Sequence, residues 1–344
     1  MSPSLATSAV LGLLSLASLT NASALARRNA TTTCTSLNQR KAWHTLTDDE
    51  KAEYIRAEKC LMSQPAQLGI NGTKNRWDEL QMSHIIQSND IHDVGQFWPW
   101  HRYYMRVHEV LLQQECNYTG AQPYWDEQRD ADAGPLEDAS VFGSDDLSFG
   151  SNGREGDRCV VDGPFANSTL RLDQAWGVIN YDEYCLGRNF TESYWAWANS
   201  TYADTCFAAT TYDDAWSCYS VKPHSSAHLA VSGTLELQSA SPGDPLFYLH
   251  HTNIDRLWWE WQQVNLTYRL TDMGGRNVPR DDHLLKNEWI APTAAVLDYD
   301  GDDGNVTTLN HVLWMLDILG NVTVGDVMDI RGDTICAEYI HEDE

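Results

Sequence analysis

Seven of the chain's twelve histidines fall in two stretches of helical character, at spacings that suit metal ligation. His84, His92 and His101 lie eight and nine residues apart. His224 and His228 are four apart, which sets both imidazoles on one helical face, and the pair His250-His251 follows. Phe247, His251 and Asp255 share a face for the same reason. His250 points about 100° away from His251 on a helix, so only one of the two can be a ligand. Each group offers three imidazoles from two or three helices, a way to build a metal site inside a bundle.

An all-imidazole donor set has chemical meaning. Neutral nitrogen ligands suit copper, zinc, iron or nickel and do not select hard Mg²⁺ or Ca²⁺. Three of them add no charge and leave a position open. Copper held that way can cycle between its two oxidation states. Two such ions facing each other can each give one electron to O₂, taking it to the peroxide level, and so oxidise an electron-rich aromatic. A zinc hydrolase would more often use a carboxylate ligand or base, as in His-Glu-x-x-His, and that motif is missing. Of the other histidines, His108 fits neither group simply and is expected in the core or beside the ligands. His44, His283, His311 and His341 stand alone in polar contexts and are expected at the surface.

The elements that must position these residues can be located from capping and periodicity. Thr47-Asp48-Asp49-Glu50 is a capping box that opens a helix over Lys51–Met62. Arg76–Gln87 carries Trp77, Leu80, His84 and Ile85 at helical spacings. Pro99 precedes a strong helical run, His101–Cys116. Asp244 as N-cap and Pro245 at the first position start another over Pro245–Asn265. Residues 127–165, rich in Gly, Asp and Ser, read as a long irregular excursion. Residues 170–220 read as aromatic, acidic segments with turns, and the tail beyond 290 as a few short strands. The whole reads as one mainly α domain with long loops.

Composition bounds the partners. The chain has 344 residues, with 49 acidic side chains against 23 Lys and Arg, for a formal charge of −26. So acidic a surface excludes nucleic acid, which needs cations to replace its counterions, and disfavours anionic membranes. The apolar run Ala9–Leu19 is too short to span a bilayer and suits a signal-peptide core. Ala22-Ser23-Ala24 would be the cleavage site and Arg27-Arg28 a second processing point. Residues 1–28 are therefore expected to be a signal peptide with a short propeptide, and 29–344 a single domain that is secreted. Sequons at Asn29, Asn71, Asn117, Asn167, Asn189, Asn199, Asn265, Asn305 and Asn321 agree with a glycosylated extracellular protein. The eight cysteines then suggest disulfides. Cys34 is expected to pair with Cys336 and Cys206 with Cys218, while Cys60, Cys116, Cys159 and Cys185 are left unassigned among themselves.

These residues resemble the tyrosinase, catechol oxidase and haemocyanin group of coupled dinuclear copper proteins. The first signature is similar to His84…His92…Phe97-Trp98-Pro99-Trp100-His101-Arg102. The second resembles His224-Ser225-Ser226-Ala227-His228, followed by the run from Asp244 through His250-His251 to Asp255-Arg256-Leu257-Trp258. Further matches include Pro123-Tyr124-Trp125-Asp126 and Cys336…Tyr339, so the likeness covers most of the chain. It looks most like the short, secreted fungal polyphenol oxidases. The resemblance implies a four-helix bundle holding two copper ions, with long loops and a few short strands. His84, His92 and His101 would hold one copper; His224, His228 and His251 the other. Phe247 would form an aromatic wall, and Asp255 and Arg102 would orient ligand imidazoles.

Departures from the family pattern sharpen the expected activity. Asp90 stands where many fungal tyrosinases carry a cysteine cross-linked to the second histidine, so no thioether forms. Ser225 stands where monophenol-active members often carry Asn, which helps orient a basic water. Ser225 and Leu229 are therefore expected to tune substrate choice toward o-diphenols, with weak or no hydroxylation of monophenols. The Tyr-x-Tyr of the family reads Ala337-Glu338-Tyr339, and no C-terminal lid domain is expected after it. The expected partners are a phenolic small molecule and O₂, on a monomer or weak dimer. Alternatives are a tyrosinase or an o-aminophenol oxidase tailoring one secondary metabolite, an oxygen carrier sharing the same ligands, and a zinc hydrolase.

Overall fold

The computed structural model describes residues 33–175, 178–287 and 300–341. Its twelve helices before residue 288 are α1 (Asp48–Ser63), α2 (Arg76–Ile86), α3 (Ser88–Ile91), α4 (Phe97–Glu115), α5 (Glu127–Ala133), α6 (Glu192–Trp195), α7 (Ser200–Phe207), α8 (Tyr212–Val221), α9 (Pro223–Val231), α10 (Leu246–Gln263), α11 (Leu266–Arg269) and α12 (Asp281–Asn287). The strands are two or three residues long and pair only in twos. They are β1 (Asn38–Arg40), β2 (Thr169–Leu170), β3 (Asp173–Ala175), β4 (Val178–Asn180), β5 (Tyr184–Cys185), β6 (Val312–Leu313), β7 (Val322–Thr323) and β8 (Ala337–Tyr339). Among the described residues no helix is long and apolar enough to cross a membrane.

Local chemistry sets the long helices. Thr47 and Glu50 form the reciprocal box expected at the start of α1, and Asn75 with Asp78 makes a second one at α2, each satisfying two free N–H groups. α4 starts at Phe97, four residues earlier than the sequence suggested. Pro99 lies inside its first turn, where no N–H is needed. α10 starts at Leu246 with Pro245 at the cap, yet Asp244 still accepts the Leu246 N–H at 3.0 Å. Asp244 is also held by Arg188 through two 3.0 Å bonds.

Four helices, α2, α4, α9 and α10, surround the histidines. The flank of α4 and α10 away from them is cemented by Trp98 stacked on Trp258, centroids 5.3 Å apart, and by buried Arg102 against Asp255. Trp43, Trp77, Trp100, Trp125 and Trp261 are also fully buried, so most of the described tryptophans are core. β1 pairs in parallel with β8 and brings the two ends of the described chain together. Cys34–Cys336 clips that junction. Cys206–Cys218 ties α7 to α8 as expected; the remaining pairs are Cys60–Cys116 and Cys159–Cys185.

Several expectations need correcting. The excursion over 127–165 contains α5, and 170–220 contains α6 to α8 and four strands. Of these helices, α5, α7 and α8 begin at Asp126, Asn199 and Thr211, whose side chains accept N–H groups of the first turn. The residue types that cap helices are those that make turns, so short capped helices read as loops. His311 is buried rather than exposed, its Nδ1 donating to Asp302 at 2.6 Å. The polar neighbours that suggested exposure are its partners. His44 and His283 are half-buried, and only His341 of that set is exposed. Of the sequon asparagines, Asn71, Asn117, Asn167, Asn265, Asn305 and Asn321 are exposed and Asn189 and Asn199 half-buried. Asn29 and residues 1–28, the segment expected to be a signal peptide and propeptide, lie outside the described residues.

Candidate metal centre

The six histidines expected as ligands come together as two clusters. His84 projects from the last turn of α2, His92 follows α3 in extended backbone, and His101 sits in the second turn of α4. The nitrogens of these three lie within 4.8 Å of one another, and all three rings are buried. His224 and His228 from α9 converge with His250 and His251 from α10 within the same limit. His224 and His228 are only half-buried, so the second cluster is the more open one.

The ring nitrogens have divided roles. Nδ1 of His84 faces the Ser239 carbonyl at 2.7 Å, that of His92 the Ser88 carbonyl at 2.9 Å, and that of His101 the Phe97 carbonyl at 2.7 Å. His228 faces Leu235 O at 2.6 Å and His224 faces Ser220 O at 3.4 Å. A carbonyl only accepts, so Nδ1 must carry the proton and Nε2 the lone pair. Those lone pairs then confront one another: His84 and His101 Nε2 are 3.4 Å apart and His224 and His228 3.1 Å, and His251 Nε2 lies 3.4 Å from that of His228. Such contacts repel unless a cation is shared. Bonds of about 2.0 Å from one metal to two imidazoles give this spacing.

Burial keeps these groups neutral. It pushes His92 and His228 down to about 3. His84, His101, His224 and His251 fall well below the usual imidazole range through burial first and neighbouring imidazoles second. An uncharged, dry, nitrogen-only set suits a borderline or soft transition metal, copper included.

The Phe247 ring lies 4.2 Å from His251 and 5.3 Å from His84. Phe97 does the same from the other helix, 4.5 Å from His101 and 4.7 Å from His224. Sequence reasoning gave Phe97 no role, although its i, i+4 relation to His101 repeats that of Phe247 to His251. Arg102 and Asp255 touch no imidazole of the clusters. Arg102 binds Asp255, Gln262 Oε1 at 3.0 Å and the Met328 carbonyl at 2.9 Å, and lies over Trp258. Asp255 also accepts Tyr339 O–H and Arg40. They brace helices, and main-chain carbonyls orient His84, His92, His101 and His228 instead. His108 is core: it lies between Gln122 and Glu58 and stacks on Tyr248.

Ser225 Oγ donates to the Ser220 carbonyl at 2.9 Å, the group that also faces His224. Leu229 is half-buried one residue after His228. His250 was set aside in favour of its neighbour, yet it stays against the second cluster, its Nδ1 2.5 Å from fully buried Glu127. Burial drives the Glu127 carboxyl well up and His250 down to about 3.

Residues 74–264 match the family model for the common central domain of tyrosinase. The chain belongs to the tyrosinase family. A tyrosinase-like protein of Diaporthe leptostromiformis, phomQ1′, is 31% identical over 328 residues, spanning 89% of this chain and 80% of that one. The N-acetyl-6-hydroxytryptophan oxidase ivoB of Emericella nidulans is 28% identical over 355 residues, 87% and 91% respectively. Among solved structures, a polyphenol oxidase variant of Thermothelomyces thermophila superposes with a TM-score of 0.74 at 27% identity, covering 89% of each chain. The tyrosinase-family chain is thus an oxidoreductase of the dinuclear copper class, mainly helical, with the family's polyphenol oxidase fold.

Proposed function

We propose that this tyrosinase-family chain oxidises o-diphenols to o-quinones with O₂, with weak or no hydroxylation of monophenols. His84, His92 and His101 would hold one copper and His224, His228 and His251 the other. The observation that carries this is the pair of imidazole clusters, each presenting unprotonated nitrogens inward. Bound copper supplies the electron transfer between the phenol and O₂. The protein's own residues do the rest. The main-chain carbonyls fix the tautomers of five of the six imidazoles, and Phe97 and Phe247 keep water from the space between the clusters. The half-buried His224 and His228 leave the second centre as the side from which a phenol arrives. Two catechols would be oxidised per O₂, which leaves as two waters.

The preference for catechols is supported by Ser225. Its hydroxyl is committed to a main-chain carbonyl, and among the described residues no carboxylate is hydrogen-bonded to it. Removing a proton from a monophenol needs a positioned acceptor; a catechol has only to be oxidised, with no new oxygen inserted, and depends less on that acceptor. A second reading, a tailoring oxidase for one secondary metabolite, is favoured by the named specificity of the Emericella relative. The four disulfides suit an oxidising compartment, so we place the protein outside the cell, glycosylated at the exposed sequons. Oxygen uptake by copper-loaded protein across catechols, matched monophenols and o-aminophenols tests the reading. Fastest turnover of catechols is expected; a single preferred hydroxyindole or aminophenol would favour the tailoring role.

A further inference from the structure

The two centres are not oriented alike. In the first, all three Nδ1 atoms donate to carbonyls at 2.7 to 2.9 Å. In the second, His228 is held at 2.6 Å, but the His224 contact is long at 3.4 Å and His251 Nδ1 is buried without a hydrogen-bond partner. Two of three rings there lack a firm polar orienter, which metal-binding imidazoles ordinarily have.

His250 occupies the place where that support is missing. Its ring stacks on His224, centroids 5.4 Å apart and planes 25° from parallel. It meets His228 edge-on at 4.7 Å and lies 5.0 Å from His251, so one ring touches all three. Glu127 fixes it through Nδ1 at 2.5 Å. The start of α5 is tied to α10 beside it: Gln128 accepts from Asn253 at 3.1 Å and from Arg256 at 2.9 Å. A buried carboxyl–imidazole pair carries a desolvation cost, and nothing in the packing of α5 alone requires one.

We infer that Glu127 and His250 are positioning residues for the second metal centre, holding the His224 and His251 rings where the main chain does not. The inference rests on the proposal that this centre binds copper. Glu127 sets the orientation of His250, and His250 passes it by ring contact to the ligands. Loss of the clamp should therefore loosen one copper and spare the other.

Copper retention against a chelator, followed with electron paramagnetic resonance, tests this on the full copper-loaded protein. A coupled pair of Cu(II) ions is silent, whereas one remaining ion gives a signal. Glu127→Leu is expected to lose one of two coppers at least about tenfold faster than wild type, with a signal growing to one copper per chain. Glu127→Gln keeps an acceptor for His250 Nδ1 and is expected to stay within about threefold. His250→Phe keeps the ring packing without the clamp, should match Glu127→Leu, and serves if that variant does not fold. Retention of both coppers at the wild-type rate, or loss of both together, would overturn the inference. A wild-type chain that takes up no copper would overturn the oxidase proposal itself, and this one with it.

Discussion

The imidazoles of His101 and His251 lie face to face, ring centroids 4.4 Å apart and planes 12° from parallel. Each follows a buried phenylalanine by one turn, Phe97 on α4 and Phe247 on α10. The stack joins the two clusters, so the packing of α4 on α10 sets the separation of the centres. A dinuclear site is thus a property of one helix pair rather than of two independent loops.

That relationship makes the ligands separable in metal content and inseparable in activity. His84→Gln is expected to leave copper only in the second cluster, and His251→Gln only in the first. Each should lower catechol oxidation by at least about 100-fold, the upper end of what even an outer partner can cost. Elemental analysis with oxygen uptake checks both; a variant holding two coppers at full rate would remove that histidine from the set.

Ser225 offers a gain-of-function comparison. Ser225→Asn frees the Ser220 carbonyl and adds an amide beside His224. The ratio of monophenol to catechol turnover is expected to rise, by up to about 100-fold if a positioned proton acceptor is restored. An unchanged ratio would locate the control of hydroxylation elsewhere.

Asp255 accepts from Arg102, Arg40 and Tyr339 in the core and reaches no cluster imidazole. Asp255→Asn should cost about 3 to 5 kcal/mol of stability, the usual penalty for breaking a buried pair. The folded fraction should still bind two coppers. Loss of metal without a fall in melting temperature would restore the orienting role first expected of it.

Acid should unfold the metal-free protein in a defined window. Unfolded histidines titrate near 6.5, whereas burial holds the cluster histidines far lower, His92, His228 and His250 near 3. Between those values the unfolded chain binds more protons, so stability is intact above about 7 and falls as pH drops toward 3. Each responding imidazole contributes up to about 1.4 kcal/mol per pH unit. Denaturant titrations at pH 8, 6 and 5 should show this slope, and replacing His84 and His251 together with Gln should flatten it.

Much of this architecture was legible because the chemistry is carried by side chains at fixed spacing. Thr47–Glu50 announced α1, His224 and His228 shared a face, and Cys34 and Cys336 marked the joined ends. What was not legible depends on contacts remote in sequence. The carbonyls of Ser239 and Leu235 orient His84 and His228, and a carbonyl leaves no mark in composition. Arg102 and Asp255 looked like orienting groups because they neighbour the signatures, yet both turn toward the packing between α4 and α10. His311 looked exposed because Asp300 and Asp302, its buried partners, read as solvent-facing charge. The helices α5, α7 and α8 hid behind caps that resemble turns.

The most direct measurement combines metal content with oxygen consumption on the purified chain. Two coppers per chain, and one O₂ consumed for every two catechols converted to quinone, is the expected result. Zinc in the site, or two bound coppers with no catechol-dependent oxygen uptake, would contradict the oxidase assignment.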